Sequence, residues 1–535
     1  MIAAGSQLLS ACRDIYIRPS KLFAYQRTPN MGSFVIFTAA LCLAYFVFKY
    51  VKRHMEQDAW SKYFKQPPTV PILGIFLSIP KTPPEIFSVM MDFPRIYGAN
   101  LALWGIGNKV DLLVTNPKDI EVIMNGKTTK KSNLYDFIEP WLGTGLLISY
   151  GKKWHNRRKI ITPSFHFKIL EKFIEVFNEQ DKILVQKLNE HVGKDEFNIY
   201  SNINAIALDN VCEAAMGVKI RAQDNPDQPY IKAVQEMSEI IFDRIFSILH
   251  QFPTLYALTP KARRGRQLIK ILHGFTNKVI TDRRQQLKEN GILLNNNSED
   301  IDEIYGKKAK LSFLDMLLNA TIDGKPLTND DIREEVDTFM FEGHDTTTSA
   351  MTFIVYRLAL NPDVQERAFN ELQSLLGTDP DTPCSYNDLQ EMKYLEMVIK
   401  EALRMHPSVP LIGRQTLEPM QIEGNYVPAG VDINIPIYAL HHNADVFPDP
   451  EKFDPERFTE EGQKMRNPYD YIPFSAGNRN CIGQRFAMLE MKAVISTILR
   501  HYKIIATEKT RNVVTRADIV LRPVGGMYVR LEKRT

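Results

Sequence analysis

The longest helical pattern in the chain begins at Thr328 and ends at Asn361, just before Pro362. Thr328 and Asp331 have the spacing of a capping box, with Asp in place of Glu. A helix of roughly 33 residues is about 50 Å long, the width of a domain, so it must cross the folded body. Charged and β-branched residues and a glycine interrupt its apolar pattern at 342–348, at a cost in helix propensity. This departure predicts a functional site at the centre of the helix.

Residues 28–48, close to the N-terminus, carry no charge. As a helix this stretch is roughly 30 Å long, enough to cross the hydrocarbon core of a bilayer. It is too long, and too far from the terminus, for a cleavable signal peptide, so we expect a retained membrane anchor at residues 31–50. A buried core helix is the alternative. Bases both precede and follow the stretch, so the positive-inside rule gives no orientation.

The flanks of the anchor differ in composition. Residues 1–30 form an N-terminal segment in which Asp14 is the only acid. Such a segment is also typical of an organelle-targeting peptide, but the strong apolar stretch that follows it favours the endoplasmic reticulum. Residues 51–70 are basic and rich in proline, which holds the backbone extended, so we expect a stiff linker. The folded body is expected at residues 71–535.

The body has a mainly helical pattern up to about Ala402. Short β-like runs occur at 101–104 and 110–115, and strands return at 419–437. Further strands are expected around Gly525 and Gly526, a pair that suits a hairpin turn. The polar stretch 290–309 predicts an exposed loop. The sequence therefore predicts a mainly α fold with small β-sheets and no internal repeat.

The composition excludes several functional classes. The chain has 535 residues, of which 44% are hydrophobic and 24% charged, as in an ordinary globular protein. The net charge is +3 and no long basic run with interleaved aromatic residues occurs, so nucleic acid is not an expected partner. The 5 cysteines lack the spacing of a zinc site or a disulfide framework, which favours a reducing compartment.

The strongest local pattern is FSAGNRNCIGQRFA, residues 474–487, with Cys481 at its centre. Gly477 and Gly483 are expected to let the backbone approach the sulfur on both sides. A helix is expected from Ile482 onward. A cysteine at a helix N-terminus is held as a thiolate by the helix amides.

Arg479 and Arg485 add positive charge near Cys481, which favours a metal-binding thiolate. An inert buried cysteine is the alternative for Cys481 taken alone. The surrounding pattern, Phe-x-x-Gly-x-Arg-x-Cys-x-Gly, resembles the haem-binding loop of cytochromes P450. The matching positions are Phe474, Gly477, Arg479, Cys481 and Gly483. The resemblance extends over nearly all of residues 71–535 and implies the cytochrome P450 fold, haem b, and Cys481 as the axial ligand of the iron.

Two further motifs of that family occur in the chain. Glu401 and Arg404 form a Glu-x-x-Arg pair on one helix face, which alone would usually be a solvated ion pair. Pro455–Phe458 (PERF) follows downstream. The resemblance implies that Arg457 joins Glu401 and Arg404 in a buried network that shapes the thiolate side of the haem pocket.

The two haem propionates need positive or hydrogen-bonding partners once they are buried. Trp154 and Arg158 match a Trp-x-x-x-Arg helix motif of the family and are candidate donors. Arg479 is a third candidate. Arg414, in VPLIGRQTL, resembles an arginine that reaches the haem from a strand. Each of these bases, taken alone, would also fit a solvated surface position.

The centre of the long helix resembles the oxygen-activation motif of cytochromes P450. The resemblance implies that Thr346 offers a hydroxyl to dioxygen at the iron and that Asp345 relays protons from solvent. The alternative is a helix kink with hydroxyls bonded to the helix's own carbonyls.

The string EVDTFMFEGHDTT, residues 335–347, closely resembles the signature of the family 4 branch. Members of that branch commonly hydroxylate fatty acids at or near the ω carbon. In several of them, the glutamate at the position of Glu342 forms an ester with a haem methyl. Glu342 lies four residues before Thr346 on the same helix face, which supports such an ester here. A noncovalent carboxylate in the pocket is the alternative.

Monooxygenation needs two electrons, and the sequence contains no recognisable flavin or nicotinamide module. The resemblance implies NADPH-cytochrome P450 reductase as the donor, so that NADPH acts indirectly, with cytochrome b5 as an optional second partner. Bases near the haem-proximal segments form a candidate dock for an acidic reductase. They are Lys152, Lys153, Arg157, Lys159 and Arg485.

Residues 252–260 form an apolar segment followed by several bases, a composition that can dip into a membrane interface. The resemblance places this segment near the substrate entrance, so lipophilic substrates are expected to enter from the bilayer. A solvated loop is the alternative. The expected location is the endoplasmic reticulum membrane, with the catalytic domain on the cytoplasmic side.

Fatty-acid ω-hydroxylation is the favoured reaction, in which one oxygen atom of O2 enters a C–H bond. Oxidation of a terpenoid, hormone or xenobiotic would use the same chemistry in a different pocket. A haem-thiolate isomerase or dehydratase would need no electron partner, but Asp345 and Thr346 argue against it. A haem-binding sensor without turnover is the alternative from another class.

Overall fold

The computed structural model describes residues 31–126, 129–225, 227–290 and 312–534. The predicted N-terminal segment, and the predicted loop beyond residue 290, lie outside the described residues. The chain divides into two compact units, Met1–Glu56 and Gln57–Thr535.

Helix α1, Met31–Ser61, contains the predicted anchor. From Phe34 onward this helix is long and apolar enough to cross a membrane, with a mean hydropathy of 2.0 over the apolar window. None of that window is buried within the protein. Because so large an exposed apolar surface is unfavourable in water, membrane anchoring explains this helix better than burial in a core. The helix also continues past residue 50, the expected end of the anchor.

The body is mainly helical, as expected, and α12 is its central helix. The helices that follow α1 are α2 Pro83–Tyr97, α3 Pro117–Asn125, α4 Glu139–Leu142, α5 Gly151–Ile161, α6 Phe167–Asn189, α7 Tyr200–Asn210, α8 Pro229–Phe246, α9 Pro253–Ala257, α10 Pro260–Glu289, α11 Phe313–Leu318, α12 Asn329–Leu360, α13 Pro362–Leu376, α14 Tyr386–Glu391, α15 Lys393–Met405, α16 Ile437–His441, α17 Glu460–Lys464, α18 Gln484–His501 and α19 Glu508–Arg511.

The strands are short and form small sheets. They are β1 Asn100–Trp104, β2 Val110–Val114, β3 Thr129–Lys130, β4 Phe197–Asn198, β5 Thr321–Ile322, β6 Lys325–Pro326, β7 Ile412–Thr416, β8 Met420–Ile422, β9 Asn425–Val427, β10 Asp432–Ile435, β11 Tyr502–Ala506, β12 Thr515–Ala517, β13 Leu521–Pro523 and β14 Tyr528–Lys533. One sheet has the order β1-β2-β10-β7-β3 and another the order β11-β14-β4. The remaining pairs are β5-β6, β8-β9 and β12-β13.

The central helix confirms the prediction made from its capping pattern. Thr328 caps the helix, and both hydrogen bonds of the capping box to Asp331 are present. The N-terminal half of the helix packs into a hydrophobic cluster with α8 and α10, and its C-terminal half into a second cluster with α15 and α18. Residues 342–349 belong to neither cluster. Part of this irregular centre, including Glu342 and Thr346, lines a cavity.

The predicted linker is partly packed into the body. Trp60 and Phe64 are buried in a cluster with Leu112 and Ile433 of the five-stranded sheet. Their burial explains why the compact unit begins at Gln57 and not at residue 71.

The prediction of a hairpin at Gly525 and Gly526 is wrong. The strand before the pair, β13, pairs with β12, whereas the strand after it, β14, pairs with β11 and β4. The glycines therefore connect two sheets. A Cβ at Gly526 would lie 2.4 Å from Asn198 Nδ2, so the close approach of β4 requires glycine there.

Candidate active site

A cavity of about 850 Å³ lies beside the centre of the central helix. Glu342, Gly343 and Thr346 line it from the helix, and Cys481 lines it from the loop before α18. Most of the remaining wall is apolar, with side chains such as Phe87 contributed by other elements. The two motifs found in the sequence therefore face the same enclosed space.

The Cys481 loop is held by its own backbone. The Cys481 N–H donates to Phe474 O at 2.9 Å, and the sulfur is open to the cavity. The following helix begins at Gln484, with Gly483 as its N-cap, so it starts two residues later than expected from Ile482.

Opposing electrostatic effects act on the sulfur of Cys481. Burial and the charge of Glu342 raise the pKa of Cys481 to about 11, although the Gly483 N–H, Arg158 and Lys131 act to lower it. Arg479 donates to main-chain carbonyls, Arg485 is exposed, and neither forms a hydrogen bond to the sulfur within the described residues. Protein groups alone favour the thiol, and a metal ion would supply the charge that stabilises the thiolate.

The two loop glycines have different structural reasons. Gly477 has φ +66°, and a Cβ there would lie 2.2 Å from Met124 O. Glycine at this position allows α3 to approach the loop, whereas the sequence predicts that it lets the backbone approach the sulfur. A Cβ at Gly483 would lie 3.9 Å from Cys481 Sγ, an ordinary contact distance, so Gly483 leaves the sulfur uncovered.

Glu401, Arg404 and Arg457 lie together in a buried network. Arg404 Nε lies 2.8 Å from Glu401 Oε2, and both side chains are fully buried. Arg457 Nε lies 3.5 Å from the other carboxylate oxygen, Glu401 Oε1.

This network is connected to the cysteine loop through main-chain contacts. Arg404 Nη1 donates to His441 O at 3.0 Å, and His441 Nε2 accepts from Ile472 N at 2.9 Å. Since Ile472 lies two residues before Phe474, the network supports the start of the loop from behind.

The candidate propionate donors lie on the cavity wall or directly behind it. Arg158 donates to Asn480 O and Oδ1, each at 2.9 Å. Arg479 donates to the carbonyls of Leu147 and Ser149, and its guanidinium lies 4.7 Å from the centre of the Trp154 ring. These contacts leave further N–H groups for an anion in the cavity.

Arg414 is buried in β7 and does not line the cavity directly. One of its amino groups, Nη2, lies 3.5 Å from Ser475 Oγ in the cysteine loop. Burial and the charge of Arg414 together lower the pKa of Arg479 to about 9. Positive charge is thus concentrated on this side of the cavity.

Lys131 and Tyr135 belong to the same cluster and were not predicted. Lys131 Nζ lies 3.5 Å from Tyr135 Oη. Burial lowers the pKa of Lys131, with Arg414 and Arg479 acting in the same direction and Glu342 opposing them. A lysine in the irregular segment KKSNLYDF carries no periodicity or motif that would have identified it.

The cavity residues fit a haem. One sulfur is open to the cavity, and several cations surround it with Glu342 as the nearby acid. Such a surplus of buried positive charge needs an anionic ligand, which two propionates would supply.

The hydroxyls of the central helix bond to its own carbonyls. Thr346 Oγ1 donates to Glu342 O at 2.6 Å, and Thr347 Oγ1 donates to Gly343 O at 2.9 Å. The alternative of back-bonded hydroxyls is therefore correct for the hydrogen bonds, but the helix continues without interruption through these residues. The pKa of Glu342 is raised to about 7, because the effect of burial outweighs the opposing charge of Lys131.

Asp345 points away from the cavity. It is absent from the cavity wall, and Arg522 Nη2 of β13 lies 2.5 Å from its Oδ2. Both side chains are buried, and Asp345 Oδ1 has no hydrogen-bond partner within the described residues. The role of Arg522 was not predicted, because nothing in the sequence links strand β13 to the central helix.

Two of the predicted docking bases are not available to a partner. Lys153 Nζ lies 2.7 Å from Glu334 Oε2, and Arg157 is buried against Asp331 and Glu335. The other three predicted bases are exposed, namely Lys152, Lys159 and Arg485.

The predicted apolar segment at 252–260 contains the short helix α9. Phe252, Leu255 and Leu258 are exposed, with Leu258 at 83%. Pro253 and the neighbouring Gln251 also line the cavity. The segment therefore combines an exposed apolar surface with a position at the edge of the cavity.

The central helix, the buried Glu-Arg network and a cysteine loop around one cavity define a haem-thiolate enzyme. The family model for cytochrome P450 matches residues 65–530. Cytochrome P450 4d1 of Drosophila melanogaster is 43% identical over 482 residues, 88% of this chain and 93% of the relative. Cytochrome P450 4c3 of the same species is 43% identical over 495 residues, 91% and 92% of the two chains. Human cytochrome P450 4V2 is 42% identical over 468 residues, 87% and 88% of the two chains.

The chain belongs to the cytochrome P450 family. Its resemblance to the family 4 branch is confirmed by these relatives, and so are the predicted fold class and the monooxygenase activity.

Proposed function

We propose that this monooxygenase hydroxylates fatty acids at or near the ω carbon. The main support is the cavity, whose long apolar walls suit an alkyl chain and which contains both Cys481 and Glu342. The position of Glu342 in the family 4 signature supports the same reaction class. Oxidation of a terpenoid, hormone or xenobiotic remains the alternative substrate assignment.

Haem, when bound, supplies the redox chemistry that activates dioxygen. Cys481 would hold the iron through its sulfur. Trp154, Arg158 and Arg479 would hold the propionates, with Arg414 strengthening the positive field from behind. The apolar walls would exclude water from the substrate chain.

Thr346 and Asp345 would handle protons. The Thr346 hydroxyl donates to Glu342 O, which leaves its oxygen free to accept a hydrogen bond from the cavity. Asp345 Oδ1, which has no partner within the described residues, is the atom that would take up a proton on the other side of the helix. Arg522 would hold this carboxylate in place.

Glu342 is proposed to form an ester with a haem methyl. Its side chain lines the cavity on the same helix face as Thr346. Within the described residues the carboxylate forms no ion pair, although the charge of Lys131 lowers its pKa. Mass spectrometry of acid-denatured holoprotein tests the link. Haem mass added to the polypeptide supports the ester, and complete release of free haem contradicts it.

NADPH-cytochrome P450 reductase is proposed as the electron donor, with cytochrome b5 as an optional partner. Lys152, Lys159 and Arg485 are exposed bases that would attract an acidic surface. The endoplasmic reticulum membrane, with the body on the cytoplasmic side, is the proposed location. Support comes from α1 and from the apolar surface of α9.

Reconstitution with the reductase, NADPH and lauric acid tests the proposed reaction. We expect NADPH consumption coupled to a product hydroxylated at or near the ω carbon. Turnover of a terpenoid but not of lauric acid would move the substrate assignment to the alternative. Activity only with a ferredoxin system would contradict the proposed donor, and haem binding without turnover would support a sensor.

A further inference from the structure

Arg244 lies near the C-terminal end of α8 and lines the cavity. Its guanidinium carbon lies 4.2 Å from the centre of the Tyr256 ring and 5.0 Å from that of Phe137. Gln251 Nε2 donates to the Arg244 carbonyl at 3.4 Å, which connects this residue to the segment before α9. The guanidinium therefore lies between two aromatic rings on the side of the cavity that is covered by α9.

The acid next to Arg244 in the chain is already engaged elsewhere. Asp243 precedes it in the chain, but His250 Nδ1 lies 2.8 Å from one carboxylate oxygen and Lys261 Nζ lies 2.7 Å from the other. Within the described residues, the guanidinium forms no ion pair and donates no hydrogen bond, and its Nε is buried without a partner. Burial lowers the pKa of Arg244, and only Tyr256 opposes this effect.

The other cations on the cavity wall have partners. Lys109 Nζ lies 2.7 Å from Asp432 Oδ2. Arg158 and Arg479 donate to the loop carbonyls described above, and Lys131 faces Glu342. Arg244 differs from them because, within the described part of the chain, its guanidinium contacts aromatic rings and no anionic partner.

A half-buried guanidinium without an anion is energetically unfavourable, and stacking on aromatic rings compensates for only part of that cost. The planar fork of an arginine can donate two parallel hydrogen bonds to a carboxylate. A ligand that brings a carboxylate into this cavity would therefore satisfy a group that the protein leaves unpaired. An apolar chain attached to that carboxylate would lie along the walls that Arg244 shares with Cys481.

We propose that Arg244 binds the carboxylate of an aliphatic acid substrate and so orients its alkyl chain toward Cys481. This assignment rests on the proposed fatty-acid hydroxylase function and adds the group that distinguishes an acid from a neutral chain. It also gives a physical reason for oxidation far from the carboxylate, because the acid end is held away from the reacting centre.

The test compares the binding of lauric acid and of 1-dodecanol to holoenzyme, followed by the substrate-induced change in the haem spectrum. The two ligands share an alkyl chain and differ only at the polar end. We expect Arg244→Gln to weaken the binding of lauric acid by about tenfold to a hundredfold, which is the usual contribution of a charge-assisted hydrogen bond. The affinity for 1-dodecanol should change less than about twofold, since hydrogen bonds to a neutral group are weak. Arg244→Lys should retain part of the affinity for the acid.

Arg264→Gln is the matched control, because this arginine is on α10 and its partner Glu236 lies on the exterior. It should change neither affinity. An equal loss of affinity for both ligands in Arg244→Gln would mean that the arginine supports the fold only. Unchanged affinity for lauric acid would mean that its carboxylate binds elsewhere. Either result overturns the anchor and leaves the hydroxylase proposal intact. Failure of the unaltered protein to bind lauric acid, while it binds other substrates, overturns both.

If Arg244→Gln yields no folded holoenzyme, the comparison is made on Arg244→Lys, which keeps the charge and loses the fork. If the affinities of Arg244→Lys for lauric acid and for 1-dodecanol both equal those of the unaltered protein, the proposal of a bidentate arginine anchor is overturned.

Discussion

Replacement of Arg522 by methionine should lower the free energy of unfolding by about 3–5 kcal/mol, because it leaves a carboxylate buried without its cation. Arg522 Nη2 lies 2.5 Å from Asp345 Oδ2, and the two side chains are only 5% and 1% exposed. Asp345 raises the pKa of Arg522, although burial alone would lower it, so the guanidinium remains charged.

The surrounding hydrogen bonds leave little room for relaxation. Ser349 Oγ donates to Leu521 O at 2.6 Å, and Leu521 N donates to Ser408 O at 2.8 Å. Ser408 Oγ donates to Thr346 O at 2.8 Å, which closes a circuit between β13 and the central helix. Because this circuit holds the strand in place, the unpaired Asp345 carboxylate cannot easily reach water. The loss should therefore fall in the upper part of the range.

Chemical denaturation followed by circular dichroism measures the effect in a double-mutant cycle. Asp345→Asn combined with Arg522→Met should be more stable than Arg522→Met alone, since no buried charge remains unpaired. Arg530→Met on β14 is the control, because its ion pair is exposed and should contribute little. A loss below about 1 kcal/mol in Arg522→Met, or strict additivity of the two substitutions, would refute the reasoning.

Three further predictions concern single residues. Gly477→Ala should destabilise the holoprotein by about 2 kcal/mol or more, measured by denaturation, because a positive φ and Met124 O oppose a Cβ. The pKa of Glu490 is raised by burial to about 8, so the folded state binds an extra proton between roughly pH 5 and 8 and loses stability as the pH rises. Glu490→Gln should remove that part of the slope in unfolding curves recorded across this range, and an unchanged slope would contradict the assignment. Glu342→Gln should release all its haem on acid denaturation, as detected by mass spectrometry, whereas haem retained on the variant would locate the link elsewhere.

Local patterns in the sequence predicted the elements whose causes are local. The capping box of Thr328 and Asp331 predicted the start of the central helix, and the proline after Asn361 predicted its end. The Glu401 and Arg404 pair could be recognised because its spacing places both on one helix face. These features depend on residues a few positions apart, so they can be recognised from the sequence alone.

The features that were missed depend on contacts between distant segments. Arg522 meets Asp345 across 177 residues, and Lys131 becomes part of the cation cluster only when β7 and the cysteine loop fold around it. The prediction of a hairpin at Gly525 was wrong for the same reason. The partner of β14 is β11, and a helix and two other strands lie between them in the sequence. Pairing of this kind leaves no periodic signal in the sequence.

The central claim is that Cys481 provides the sulfur that binds the haem iron, and the carbon monoxide difference spectrum of the reduced protein tests it most directly. The unaltered protein should show the long-wavelength Soret band of thiolate-ligated haem. Cys481→Ser should lose that band while α-helical circular dichroism remains. Retention of the band in the serine variant would contradict the claim.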